Sequence, residues 1–563
     1  MVMQRPFFAL RALTFSMLSL TAGQVFAGGL DLPTITAAHQ GTSNANGAEA
    51  SDPSVLYYNP AGLARLKGGL QVSQGFSALF INGKVQADQN ESRHGAATDQ
   101  KSDGGDSLAG DPSASGEPGT FWPRVLGAGG AFISLPIDDM VTAGLGVFAP
   151  GGGNLNYKSD WTGAYQIDSI AIELININPS IGVRFDDKHS IGFGVSVIGG
   201  HIRQKTQIDV PGVSPYLLRS GIESGTLNLA GLPVGGPVST LFNTACAGQL
   251  SQLLSPVVTP LCGSVLDLLG SQLTAAGSSG SAQVEMYGYG LGYNLGYMFA
   301  ANEKTRFGLA YRSESKVKLR GDLVWDLANI KGSAVYNAIA PTDGPGQPPQ
   351  TLEQYLQDNL RPDTTAKGDL ILPARASANI FHQLNDKIDL MADFTFIETS
   401  AVDKIRVHFL DGKKKDGTPI KQGDGGIDTK WRDSFKVSVG GNYHHDDKLT
   451  LKSGFQYDMT PVPSAEYRHP GAPDSDRYMF SVGANYKVKK NLTLDAAYSV
   501  TFLADSESNY TDRCRTLTRD DANGDYDPTG ESCTGNGGKF GPARTHKGRI
   551  AAALRPGHPG SGC

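Results

Sequence analysis

A period of two, repeated along most of the chain, constrains this sequence more than any other feature. In Leu449–Met459, Leu449, Leu451, Phe455 and Tyr457 alternate with Thr450, Lys452, Gln456 and Asp458. Tyr478–Val488 and Leu492–Phe502 repeat the pattern, and Ile388–Phe396 sets Leu390, Ala392 and Phe394 against Asp389 and Asp393. Successive side chains of a strand point to opposite faces, so these runs are strands with one apolar and one polar face. A soluble sandwich gives the same alternation. Three features favour a membrane barrel instead. The runs reach the ~10 residues that a tilted strand needs to cross a bilayer. Aromatics stand near their ends, as in an interfacial girdle. The connections alternate in length. Short turns at 136–139, 186–189, 301–304, 385–387, 445–447 and 489–491 fall between long polar stretches at 87–122, 151–168, 211–283, 328–369, 411–430, 461–475 and 506–544. The expected fold is all-β, a transmembrane antiparallel barrel of about fourteen strands.

The ends and the composition agree with this class. Arg5 and Arg11 precede the apolar run Ala12–Ala22 and the small-residue site Val25-Phe26-Ala27. Residues 1–27 therefore read as a secretion signal cleaved after Ala27. No later stretch supplies the ~20 apolar residues of a spanning helix, and mean hydropathy is -0.24. Net charge is -6, with no basic stripe carrying interleaved aromatics, so no nucleic-acid partner is expected.

Between the signal and the first alternating run lie residues 28–66, which show neither period. The segment ends in Asn59-Pro60-Ala61-Gly62. Asn before Pro is pushed out of the helical region, and Gly62 permits a close backbone approach or a positive φ. The segment is a candidate plug, or hatch, for the barrel of residues 67–563. Two loops are more than polar. Leu253, Leu254, Val257 and Val258 lie between Cys246 and Cys262, and Leu352, Tyr355 and Leu356 form a stripe on a short helix that Thr351 can cap. These either pack on each other over the barrel mouth or form an apolar capture groove facing the medium.

The five cysteines suit an oxidising compartment. Cys246 with Cys262, and Cys514 with Cys533, are expected disulfides, with free thiols as the alternative and Cys563 left over. Gly105-Asp106-Ser107-Leu108 spells an esterase signature, but Ser107 sits in a Gly/Asp/Ser-rich loop. The Asp-x-x-His at Asp186–His189 falls in a turn on the other side of the membrane, so no enzyme is expected. Asp521, Asn523, Asp525 and Asp527 alternate like calcium ligands, yet Tyr526 replaces the turn glycine and Glu531 is out of register. A solvated acidic loop without cofactor is the expectation, with calcium as the alternative.

Taken with these residues, the sequence resembles the FadL family of outer-membrane transporters for long-chain fatty acids and other hydrophobic compounds. Asn59-Pro60-Ala61-Gly62 matches the family's hatch signature. Gly144–Gly152, followed by Trp161 and Tyr165, resembles its third-strand region. Asn178–Gly182 and Ser190–Gly194 fit the fourth and fifth strands, and Leu372-Pro373-Ala374 opens a later one. The most specific block joins Trp431-Arg432-Asp433, Gly454–Pro463 and Pro473–Arg477. The resemblance implies a fourteen-strand barrel in the bacterial outer membrane, plugged by the hatch and monomeric. It implies passive uptake of long-chain fatty acids, or of aromatic hydrocarbons on the same scaffold, from a loop groove through an internal pocket. It also implies sideways exit into outer-membrane lipid where the third strand is kinked, here at Ala149, Pro150, Gly151 and Gly152. Pro150 and the glycines after it are where ladder hydrogen bonds must fail. One departure stands out. The closing strand begins at Thr545–Leu554, but Arg555–Cys563, with two prolines, is not expected to finish it.

Overall fold

The computed structural model describes residues 35–80, 84–87, 119–120, 125–157, 167–208, 280–333, 336–337, 340, 348–359, 363–410, 412–413, 417, 419–420, 425–508, 511–512, 544–545 and 548–550. One antiparallel sheet of eighteen segments dominates. In chain order they are β1 Gln71–Phe80, β2 Val125–Pro136, β3 Val141–Phe148, β4 Gly152–Asn156, β5 Ser169–Arg184 and β6 His189–Ile208. Then come β7 Gly280–Ala300, β8 Thr305–Arg312, β9 Ser315–Asp326, β10 Thr364–Leu372, β11 Arg375–Asn385 and β12 Ile388–Ile397. The last six are β13 Lys404–Phe409, β14 Gly425–Asp428, β15 Ser434–His444, β16 Leu449–Asp458, β17 Arg477–Lys489 and β18 Leu492–Leu503.

Several segments are halves of one interrupted strand. β3 and β4 both pair with β5, and β8 and β9 both pair with β7. The β10/β11, β12/β13 and β14/β15 pairs continue in step across the same ladders. Each segment pairs with the next from β1 to β18, the interruptions within strands aside. Beyond β18, Ser506–Ser508 pairs with Gly548–Ile550, which also pairs with Lys84–Ala87 after β1. The remainder of the expected closing strand lies outside the described residues.

The polar faces of these strands point in and the apolar faces point out. Lys452, Gln456 and Asp458 are buried while Leu451 is 43% exposed, and β5 alternates buried and exposed residues along its length. Leu291, Leu309, Phe480 and Leu494 are likewise exposed. An apolar outer band with a polar lumen is the arrangement of a barrel in lipid.

At one end the strands are joined by tight turns closed by side chains. Asp138, Asp186 and Asp446 each accept two backbone N–H groups, from residues two and three positions on. Asn302 and Asn385 accept one each. Such Asx turns fix a short loop without glycine. The two backbone donors hold the Asp186 carboxyl below the usual carboxylate range. At the other end the strands run further than the sequence suggests. Gly152–Asn156, Gly280–Gln283, Thr364–Asp369 and Gly425–Asp428 fall in stretches that read as loop, and the structure makes them strand. The outward positions of these extensions carry charged or polar residues such as Thr365, Lys367 and Asp369, which give a loop-like composition. Ser281 and Ala366 turn inward and are buried.

Candidate functional site

The N-terminal segment packs on the inward face of the sheet. It holds two single-turn helices, α1 Ala37–Gln40 and α2 Val55–Tyr58, and a 3-10 helix, Pro60–Arg65. Asn59 is extended, as the following proline requires, and its Oδ1 accepts the Ala61 N–H at 3.0 Å, capping that helix. Its Nδ2 donates to the carbonyls of Tyr297 (3.2 Å) and Leu309 (3.3 Å), which stand opposite each other on β7 and β8. Asn59 thus ties the segment's end to two wall strands at once. Of the two options for Gly62, the structure takes close approach: a methyl group there would overlap the Val55 side chain.

The wall offers this segment a seat of glycines that sequence reading did not assign. A methyl group at Gly192 would overlap the Pro60 carbonyl carbon, and one at Gly296 would overlap Asn59 Oδ1. Gly182 and Gly308 are blocked by Ala64 and Asn59 in the same way. Across the lumen, Gly440 and Gly454 admit the backbone of Thr42. The signal was present as glycines at alternate, inward positions, but without the strand register it could not be assigned to a partner.

Polar contacts complete the docking. Arg306 donates to the carbonyls of Ala48 (3.0 Å) and Glu49 (2.7 Å), Arg312 to that of Tyr57 (3.0 Å), and Lys452 to that of Ala38 (2.9 Å). His39 is buried between the hydroxyls of Thr36 (3.0 Å) and Ser54 (3.1 Å). Burial holds its imidazole below the ordinary histidine value, against the opposing pull of Asp52 and Glu49.

Between β3 and β4 the wall breaks. Residues 149–151 face only Leu174 and Ile175 of β5, because the register resumes at Gly152↔Glu173 after Phe148↔Asn176. Gly152 has φ +138, a conformation that side-chain-bearing residues rarely adopt. Period two disappears here: residues 146–153 are all buried, where a wall strand would alternate. β2 pairs with β3 up to Gly130↔Phe148, with one further bond from Ala149 to Gly129. The edge of β4 on that side has no strand partner among the described residues. Ahead of the break, Phe148 touches the rings of Tyr57 and Phe132. After it, Leu155 and Tyr157 turn into the lumen, and the Tyr157 hydroxyl donates to the Pro470 carbonyl at 2.8 Å. Burial pushes that phenol's pKa well up.

Two cavities lie on either side of the break. On the loop side, Leu155, Ile170, Ile172, Ile202, Met286 and Leu319 belong to one large apolar cluster inside the sheet. It borders a cavity of ≈ 40 Å³ closed by Val407, Trp431 and Ala472. The block Gly454–Arg477 is braced over it. Asp476 accepts from Thr460 N and the Tyr457 hydroxyl, and Asp474 from the Thr460 hydroxyl. Arg477 pairs with Asp458 at 2.5 Å. Nearer the N-terminal segment is a polar cavity of ≈ 90 Å³ lined by Tyr57, Tyr58, Arg312, Arg375, Lys436 and Asp393 among others. Three cationic side chains and one carboxylate line it, and Lys436 is paired with Asp458 at 3.3 Å.

The expected loop groove is different. Leu352, Tyr355 and Leu356 are 1%, 2% and 5% exposed, so these residues do not present an open apolar surface. Thr351 caps their helix, α3 Leu352–Asn359, in a reciprocal box: its Oγ1 accepts the Gln354 N–H, and its own N–H donates to the side-chain oxygen of Gln354. The apolar stripe is turned under, with Tyr355 beside the buried Tyr336. Leu253, Leu254, Val257 and Val258 lie outside the described residues. So do Ser107, the cysteines Cys246, Cys262, Cys514 and Cys533, and the acidic run Asp521, Asn523, Asp525 and Asp527.

Comparison with known proteins agrees with this geometry. The family profile described as outer membrane protein transport protein (OMPP1/FadL/TodX) matches residues 18–532. A putative outer membrane protein of Neisseria meningitidis is 26% identical over 481 residues, 85% of this chain and 87% of its own. The long-chain fatty acid transport protein of Salmonella typhi is 25% identical over 256 residues, 45% of this chain and 50% of that one. The crystal structure of a Pseudomonas aeruginosa FadL homologue superposes with a TM-score of 0.62 at 21% identity, covering 93% of this chain and 96% of that one. The chain belongs to the OMPP1/FadL/TodX family of outer-membrane proteins that transport hydrophobic compounds.

Proposed function

We propose that the protein takes up long-chain fatty acids passively, with residues 28–66 as the hatch of a fourteen-strand barrel and the break at Ala149–Gly152 as a sideways exit into lipid. The break carries this reading. A strand edge left without a partner is costly in hydrocarbon unless something covers it. Here it opens beside a lumen lined by isoleucine, leucine and methionine. An apolar chain gains ~0.8 kcal/mol per buried CH₂ on entering such a space. It then leaves into lipid without crossing water, so no energy source or cofactor is needed. The cationic cavity beside the hatch favours a ligand with a carboxylate over a bare aromatic hydrocarbon, since Arg312 and Arg375 line it with the single carboxylate Asp393, in addition to Lys436, which is paired with Asp458. The protein is taken to act as a monomer and to catalyse no reaction.

The test replaces Pro150, Gly151 and Gly152 with Val, Thr and Val, residues that favour a regular ladder. Oleate binding in detergent should persist while oleate uptake by cells fails. Unchanged uptake through a closed wall would refute the exit. In Lys436→Gln and Arg375→Gln variants, oleate affinity should fall about tenfold, the size of one charge-assisted contact, with toluene uptake unchanged. Selective loss of toluene would reassign the substrate to aromatic hydrocarbons.

A further inference from the structure

We propose that the outer face of β9 and β10 binds the phosphate groups of lipid A, the glycolipid of the outer leaflet. Lys318 and Arg320 on β9 and Lys367 on β10 point outward and are exposed. Arg320 stands directly opposite Lys367 in the ladder. Opposed residues have Cβ atoms about 5 Å apart, and like charges so placed destabilise a sheet unless an anion joins them. Lys318, two residues along the same face, completes a triangle within about 8 Å.

Neighbouring strands on the same face show that the charge is not merely awaiting a protein partner. On β5, β6 and β7, His201 contacts Glu173 (3.0 Å) and Glu285 (2.9 Å), and Arg203 contacts Glu285 (3.2 Å). That group is internally paired. Asp369 stands directly opposite Lys318 but is engaged by Lys316 at 2.6 Å, and Asp322 stands opposite Thr365 on one side and Glu285 on the other. Lys318, Arg320 and Lys367 form no ion pair among the described residues.

Their height in the membrane identifies the anion. Lys318 lies opposite Tyr289 and Arg320 opposite Tyr287 on β7, tyrosines 72% and 58% exposed. Exposed tyrosines mark the boundary between hydrocarbon and headgroups. Just inward of them are the exposed apolar residues Leu291 and Leu295. The triangle is on the side of the long connections, away from the Asx turns. Cations at that level meet the headgroups of the outer leaflet, where lipid A carries its phosphates.

The test is binding of lipid A to the detergent-solubilised protein by native mass spectrometry, with doubly phosphorylated and dephosphorylated lipid A as probes. Doubly phosphorylated lipid A should bind, and more weakly as salt rises. Each charge removed should weaken it about fivefold, and the Lys318→Gln/Arg320→Gln/Lys367→Gln variant on the order of a hundredfold. Oleate binding in the lumen should be unchanged, which separates this site from the transport reading. The single variant Arg320→Gln and the salt titration of the unaltered protein test the idea even if the triple variant is not exported. Equal binding of dephosphorylated lipid A, unchanged binding by the variants, or inorganic phosphate binding as tightly as lipid A would each overturn it.

Discussion

The two ends of the lumen are built from the same strands and do opposite things. On β5 the inward residues are Ile170, Ile172 and Leu174 on the loop side, then Asn176, Asn178 and Ser180 toward the turns. On β6, Ile202 and Ile198 give way to Ser196, Gly194, Gly192 and Ser190. The turn-side half is polar and flat, and its partner is protein: the N-terminal segment lies on it, backbone against backbone. The loop-side half is apolar, and its side chains leave a cavity. What separates them is the break at Ala149–Gly152. Period two divides each strand into two faces, while the residue types on the inward face decide whether it seats the N-terminal segment or borders an apolar cavity.

Four changes would sharpen or break this comparison. The largest effect is expected from Gly192→Val, whose side chain would overlap the Pro60 backbone. Overpacking against backbone should loosen the segment by about 3 kcal/mol, the upper end of the usual cost. At Gly199, on the same strand, an added methyl group would meet nothing within 4 Å, so Gly199→Val should leave docking intact. Limited proteolysis between residues 35 and 66 reads both. Equal protection in the two variants would remove the seat.

Asn59→Ala comes next. It deletes one cap and two ties to the wall, and should lower the free energy of opening the segment by about 1–3 kcal/mol. Hydrogen exchange at Ala61 and Leu63 measures it, and no change would mean that glycine packing alone holds the end in place. In the loop-side half, Leu319→Asn places an amide in the apolar cluster. It should weaken oleate about tenfold, close to the lower cost of an unpaired buried polar group. Docking of the segment should not change. If docking loosened instead, the two halves would not be independent.

The smallest effect is a pH dependence. His39 is held neutral, its value depressed mainly by burial. The undocked segment binds a proton below about pH 6.5, so docking is fully stabilised above that value and loses stability as pH falls through it. Hydrogen-exchange protection of residues 35–66, taken relative to the intrinsic exchange rate at each pH, should be lower at pH 5 than at pH 7.5, and His39→Gln should flatten the difference. A profile unchanged by the substitution would assign the effect to another group.

Much of this was legible in the sequence. Alternation and loop rhythm specify an outward-apolar antiparallel sheet, and Asn59-Pro60 marks the end of the segment that packs on its inward face. Pro150 and its glycines mark the break, because proline cannot donate to a ladder. The zoning of the lumen was not legible. Ile170-Ala171-Ile172-Glu173-Leu174 is apolar on the inward side, the reverse of the rule for a water-filled barrel, and only the register shows which side that is. The seat glycines were equally hidden, since a glycine in a strand says that something approaches closely but not what. Leu352, Tyr355 and Leu356 left two options open for a related reason: a stripe on a short helix shows which face is apolar, not whether it is covered.

The central claim is that an apolar ligand occupies the loop-side half and leaves at the break without crossing the glycine seat. Photolabelling during uptake tests it most directly. Cells expressing the protein take up a fatty acid carrying a diazirine on its chain, are illuminated, and the labelled peptides are mapped by mass spectrometry. The account predicts label on Ile172, Met286 and Leu319 and on Leu155 at the break, with none at Gly192, Gly296 or Pro60. Label concentrated at those last three residues, with the break unlabelled, would contradict it and place the route through the N-terminal segment.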